Sequence, residues 1–196
     1  MPLKLLLVIL LVVLFASFTF RKFAVKKVEG PIVFLGNSIT AGAGAGPGED
    51  FPSIVARELN VEVVNAGVSG DSVFDALQRL EIDVLAEDPK IVVVELGGND
   101  FLQGTSLDST FANFEIIMQK LKLSGVKIVI VSVNIPLKPS YEARQKEMAK
   151  KYDGVFVPNI LRGVISDPRF MSDSVHPNAM GYQIIAKRVI KGIKKV

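Results

Sequence analysis

Ile91-Val92-Val93-Val94-Glu95-Leu96-Gly97-Gly98-Asn99-Asp100 decides the fold: four β-branched residues in one apolar run, closed by a glycine pair and two polar residues. A run of this kind, with no polar alternation, reads as a strand buried on both faces, which is the habit of parallel sheets covered by helices. The pattern recurs on either side. Upstream, Ile32-Val33-Phe34-Leu35 ends at Gly36, and Val61-Glu62-Val63-Val64 precedes Asn65-Ala66-Gly67. Downstream, residues 127–133 form a fourth run and Val155-Phe156-Val157 a fifth. Between the runs, apolar residues return at helical spacing: Phe51, Ile54, Val55 and Leu59; then Val73, Phe74, Leu77 and Leu80; then Phe111, Phe114, Met118 and Leu121, ended by Ser124-Gly125. Residues 139–152 predict a mostly polar helix. A last helix from about Asn178 turns Tyr182, Ile185, Val189 and Ile193 inward. Strands alternating with helices predict a doubly wound α/β domain with a five-stranded parallel sheet over residues 28–196; five strands are too few for an eight-stranded barrel.

Residues 1–27 read differently from the rest. Residues 5–20 carry no charge and consist almost wholly of Leu, Val, Ile and Phe. That is slightly long for a signal-peptide core and slightly short for a relaxed span, which needs about 17 to 25 residues. No A-x-A site follows, and Arg21, Lys22, Lys26 and Lys27 stand where a mature N-terminus would begin, which favours an uncleaved N-terminal hydrophobic helix anchoring the chain in a membrane. The positive-inside rule would keep the domain cytoplasmic and a signal-anchor reading would place it outside, so the side stays open.

This segment also distorts the bulk charge. Five basic and no acidic residues lie in residues 1–27, so the formal charge of +3 for the whole chain becomes −2 for the remainder. A nucleic-acid partner loses its main support, since phosphate binding needs a concentrated basic surface. The absence of cysteine removes disulfides, a thiol nucleophile and Cys-based metal sites, and a single histidine argues against zinc.

In open parallel sheets ligands sit beyond the carboxyl ends of the strands. The polar residues there are Gly36-Asn37-Ser38-Ile39-Thr40, then Asn65 through Gly70 to Ser72, then Gly97-Gly98-Asn99-Asp100, and after the last strand Ser172-Asp173-Ser174-Val175-His176-Pro177. His176 is the only histidine, the one residue type whose ordinary titration falls between pH 5 and 8. Asp173, three residues earlier, is placed to orient its ring. The chemistry this set permits is acyl transfer: Ser38 as nucleophile, His176 as base, Asp173 behind it, and the Ser38 amide, the Gly70 amide and the Asn99 side chain as donors to an oxyanion. Each residue also has a plainer reading. Ser38 could cap a helix, Gly70 could be a turn glycine, and Asn99 or Asp100 could cap the following helix. Four such stretches at matching strand ends, with the sole histidine among them, favour the catalytic reading.

These stretches resemble the blocks of the SGNH (GDSL) hydrolases. Gly36-Asn37-Ser38 matches the first block, Gly70 the second, Gly97-Gly98-Asn99-Asp100 the third, and Asp173-x-x-His176-Pro177 the last. The resemblance runs from about residue 31 to the final helix and is strongest to the bacterial thioesterase, lysophospholipase and arylesterase branch. It implies a flavodoxin-like three-layer sandwich, a Ser38-His176-Asp173 triad with Ser38, Gly70 and Asn99 as oxyanion hole, an ester or lipid substrate, and no cofactor. Family members usually carry Asp where this chain has Asn37, which puts activity level in question. A carbohydrate O-acetylesterase at the cell envelope, and a catalytically weak tethered binding module, are the alternatives. No G-x-S-x-G is present, so a nucleophile elbow is not expected. Residues 42–48, rich in glycine, lack a phosphate-loop spacing and read as a flexible rim over the site.

Overall fold

All five apolar runs join one parallel sheet, ordered β2-β1-β3-β4-β5. The strands are β1 Ile32–Gly36, β2 Val63–Gly67, β3 Ile91–Glu95, β4 Lys127–Val131 and β5 Val155–Val157. The computed structural model describes residues 30–133 and 139–196. The anchor expected at residues 5–20 lies outside the described residues, among which no helix is long and apolar enough to cross a membrane. β3 is central: Ile91 pairs with Ile32 on one side and Lys127 on the other. Its apolar run is unbroken because both edges and both faces are covered. The strand order is the flavodoxin-like one, with the winding reversing between β1 and β3.

The helices are α1 Ser38–Ala41, α2 Phe51–Leu59, α3 Val73–Asp83, α4 Gly98–Leu102, α5 Leu107–Leu123, α6 Pro139–Lys151 and α7 Ala179–Ile193. Period-two alternation along the strands feeds two separate cores. Ile32, Phe34, Ile91, Val93, Val129 and Val131 point toward α1, α2 and α7, where they meet Phe51, Ile54, Val55, Tyr182, Ile185 and Val189. Val33, Leu35, Val92, Val94, Ile128 and Ile130 point the other way, toward Leu80, Phe114, Ile117, Met118, Leu121 and Tyr141. The result is a three-layer α/β/α sandwich.

Three elements differ from the sequence reading. β2 begins at Val63, two residues late, because the Val61 amide still bonds to the Ala56 carbonyl to close α2. The Asn65-Ala66-Gly67 stretch therefore belongs to the strand. β4 ends at Val131, not 133, since the Ser132 carbonyl turns to accept the Ile160 amide. In α3 the buried stripe is Val73, Ala76 and Leu80, and Phe74, expected inside, is 53% exposed. One residue along a helix is about 100° round it, so Phe74 cannot share a stripe with Val73, Ala76 and Leu80. Asn99 and Asp100 lie within a short helix, α4, and Ser106 caps the next one, so the plainer reading of either residue as that cap does not hold.

Candidate active site

Asn37 turns the chain from β1 into α1. Its Oδ1 accepts the Ile39 amide at 2.9 Å, so Asn37, not Ser38, caps the helix. Ser38 becomes the first helical residue, with its hydroxyl free for another partner. The turn sits directly on the strand ends: a Cβ on Gly36 would lie 2.0 Å from Thr40 Oγ1, and one on Gly67 2.3 Å from the Ala41 nitrogen. Only glycine at both positions lets α1 pack this low. The far end of α1 is secured by Asn65, whose Nδ2 donates to the Thr40 carbonyl at 2.9 Å.

The other partner arrives from the end of the chain. Residues 170–178 form a loop closed on itself: the Ser172 amide donates to the His176 carbonyl at 2.9 Å, Met171 bridges to Pro177, and the Asn178 amide donates to the Phe170 carbonyl at 2.9 Å. Asn178 then caps α7, its Oδ1 accepting the Met180 and Gly181 amides. Inside this loop Asp173 Oδ1 accepts the Val175 and His176 amides, each at 2.7 Å. Asp173 Oδ2 takes the His176 Nδ1 hydrogen at 2.8 Å. With the ring proton on Nδ1, His176 Nε2 is left to accept from Ser38 Oγ, 3.0 Å away. The His176 side chain first, then the two amides, hold the Asp173 carboxyl down to about 2. It is a half-exposed carboxylate kept ionised by hydrogen bonds, not by burial.

Gly70 and Asn99 are carried by two stretches that grip each other. Gly70 has φ +92, a conformation that suits glycine, and the space where a Cβ would stand is open. Asn99 Nδ2 donates to the Asp71 carbonyl at 2.9 Å, and its neighbour Asp100, buried, accepts the Val73 amide at 2.9 Å. Desolvation raises the Asp100 carboxyl above the usual range. Two successive residues of α4 thus clamp the loop that runs from Gly70 into α3. Nδ2 of Asn99 carries a second hydrogen beyond the one spent on Asp71. Arg79 adds a clamp the sequence reading missed: its Nε lies 2.6 Å from Asp71 Oδ2 and its Nη2 donates to the Gly36 carbonyl at 3.2 Å. The guanidinium so ties the Gly70 loop to the base of the Ser38 turn.

A second omission is Glu95, the last residue of β3. It is fully buried beneath the Ser38 turn, where Oε1 accepts from Asn37 Nδ2 and Oε2 from Thr40 Oγ1. The available signal was an acid at the end of the most apolar run, where charged residues are rarely buried without partners. The glycine-rich stretch is also more tied than expected. The Ala43 carbonyl accepts the Tyr182 hydroxyl at 2.8 Å, and a Cβ on Gly44 would meet Ser172 Oγ at 2.1 Å. It packs against the loop that carries Asp173 and His176.

A cleft of about 360 Å³ adjoins the site, lined by Ile165, Pro168, Met171, Asp173 and Ser174. A larger one of about 690 Å³ lies along β5 among Arg162, Arg188, Lys191 and Lys195 and includes none of the predicted site residues. Exposed apolar side chains stand near the candidate donors and base: Val68 before Gly70, Leu102 after Asn99, and Val175 beside His176. Among the described residues no three His, Asp or Glu side chains converge to hold a metal ion.

The chain is similar to known esterases and acylhydrolases. The profile of the GDSL-like lipase/acylhydrolase family matches residues 34–184. An esterase, TesA, of Pseudomonas aeruginosa is 31% identical over 160 residues, covering 74% of this chain and 79% of its own. Thioesterase 1/protease 1/lysophospholipase L1 of Escherichia coli K12 is 28% identical over 172 residues, 83% of each chain. A crystal structure of TesA superposes with a TM-score of 0.79 at 26% identity, over 84% of this chain and 98% of that one.

Proposed function

Since the chain belongs to the GDSL-like lipase/acylhydrolase family and is therefore a serine esterase, we propose that Ser38, His176 and Asp173 form its triad and that it hydrolyses carboxylic or thioesters of acyl chains. The observation that carries this reading is one hydrogen-bonded line, Asp173 Oδ2 to His176 Nδ1 at 2.8 Å and His176 Nε2 to Ser38 Oγ at 3.0 Å, joining residues 138 apart in sequence. These are the contacts a base and its orienting carboxylate need to activate a hydroxyl.

Ser38 Oγ attacks the ester carbonyl carbon as its proton passes to His176 Nε2, and Asp173 stabilises the imidazolium. The carbonyl oxygen becomes an oxyanion, received by the Ser38 amide, the Gly70 amide and the second Asn99 Nδ2 hydrogen. Collapse expels the alcohol or thiol, which takes the proton from His176 and leaves an acyl group on Ser38. Water then enters, gives a proton to the same nitrogen, and releases the acid by the reverse sequence. Val68, Leu102 and Val175 offer an apolar border for an acyl chain. Activity on lipid esters is supported by the likeness to the Escherichia coli thioesterase 1/protease 1/lysophospholipase L1. We assign residues 5–20 the role of a membrane tether, on hydropathy alone.

The test is hydrolysis of p-nitrophenyl esters of increasing chain length by the full chain, beside Ser38→Ala and His176→Ala. Turnover that vanishes in both variants and peaks at medium or long chains supports the reading. A strict preference for acetate would redirect it to a carbohydrate acetylesterase, and a folded chain inert on every ester to a binding module.

A further inference from the structure

Ser38 is flanked on both sides by residues that one buried carboxyl group holds. Asn37 precedes it, Thr40 follows two residues on, and both donate to Glu95, at 3.2 Å on Oε1 and 2.9 Å on Oε2. Glu95 belongs to the central strand, where it pairs with Gly36, so the middle of the sheet reaches up into the turn. Other ionisable groups approach from each neighbouring element: Tyr182 from α7, Arg79 from α3, Asp50 from the start of α2 and His176 from the C-terminal loop. Their own bonds go elsewhere: Tyr182 to Ala43, Arg79 to Asp71, Asp83 and Gly36, Asp50 to Ser53 and Asn65, and His176 to Asp173 and Ser38. Among the described residues, the hydrogen bonds to the Glu95 carboxyl come from Asn37 and Thr40.

Resting on Ser38 as the nucleophile, we propose that Glu95 is a positioning residue for Ser38, and that an amide at residue 37 lets it hold the turn in either of its own protonation states. Ionised, Glu95 accepts from both partners. Protonated, it accepts from Asn37 on one oxygen and donates its own hydrogen to Thr40 Oγ1, whose hydroxyl rotates to receive it. The Asn37 amide donates in both cases because it does not titrate. An aspartate there would set two carboxyl groups at the same separation, and a single shared proton would have to bridge them. Once that proton leaves, two buried like charges face each other under Ser38 and the turn loses its support. With the Asn37 amide beside it, burial already pushes the Glu95 carboxyl up to about 8, and a second carboxyl in place of the amide moves the loss of the shared proton further to the alkaline side.

The experiment measures kcat and KM of the full chain on a soluble p-nitrophenyl ester from about pH 6 to about pH 9.5, for wild type, Asn37→Asp, Glu95→Gln and the double variant. Wild type shows no loss of kcat on the alkaline side. Asn37→Asp keeps its KM but loses kcat about tenfold per pH unit above the pKa of the carboxyl pair. Glu95→Gln retains most of kcat, because its carbonyl accepts from Asn37 and its amide donates to Thr40. In the double variant the alkaline loss disappears. Glu95→Ala lowers kcat by about 10²-fold through misplacement of Ser38; should that variant fail to fold, Asn37→Asp, which preserves volume, decides the matter. A flat Asn37→Asp profile, or an alkaline loss that persists in the double variant, overturns the proposal. Ser38→Ala serves as the separate control: if it still turns over ester, the assignment of the triad itself is wrong.

Discussion

Replacing Glu95 by glutamine should remove a large part of the protein's loss of stability on going from acid to neutral and alkaline pH. Burial raises the Glu95 carboxyl from 4.5 to about 8, the Thr40 and Asn37 hydrogen bonds opposing it only in part. In the unfolded chain the same group ionises near its ordinary value. Between about pH 4.5 and about pH 8 the folded protein therefore keeps a proton that the unfolded chain has released. The sign follows: stability is fully present below about 4.5 and falls as pH rises through the window. The slope is about 1.4 kcal/mol per pH unit, of order 5 kcal/mol across the whole interval. Glutamine resembles the neutral acid and has nothing to release. Urea unfolding of wild type and Glu95→Gln at pH 5, 6, 7 and 8 reads the difference, which should grow steadily in the variant's favour. Two parallel curves would mean that Glu95 is already ionised in the folded protein, and would refute the argument from burial.

Asn99→Ala should lower kcat by about 10² to 10³-fold, the usual loss for one oxyanion donor, with little change in KM; an unaltered kcat would remove Asn99 from the mechanism. Asp173→Asn should cost on the order of 10⁴ in kcat, since the ring would lose the carboxylate that fixes its tautomer. Because hydrogen bonds hold the Asp173 carboxyl down to about 2, wild type should keep this support until the pH falls toward that value. Arg79→Met leaves Asp71 without its guanidinium in a mostly buried place, and should destabilise the chain by about 3 kcal/mol in urea titrations. Removing residues 1–27 should shift the protein from the membrane fraction to the supernatant in cell fractionation; unchanged sedimentation would count against the tether.

The sequence exposes Ser38, Gly70, Asn99, Asp173 and His176 because each stands just beyond a strand or in the last loop, and because one histidine leaves no choice of base. Parallel topology does the rest, bringing every strand's carboxyl end to one edge. Glu95 is hidden for the opposite reason. An acid closing an apolar run looks like the point where a strand meets solvent, and only the register that pairs Gly36 with Glu95 puts it under α1. Arg79 is equally silent: its reach to Asp71 and Gly36 spans 8 and 43 residues and depends on how α3 lies against the sheet. Asn37 illustrates both sides. Its difference from the usual family residue is visible in sequence, but its two hydrogen bonds, capping Ile39 with one atom and binding Glu95 with the other, appear only in three dimensions.

The most direct test of the central claim is covalent capture of the nucleophile with a p-nitrophenyl alkylphosphonate, followed by peptide mapping of the adduct. The account predicts one adduct per chain, on Ser38, slowed strongly in His176→Ala and absent in Ser38→Ala. An adduct on another residue, or none on a folded chain, would contradict it.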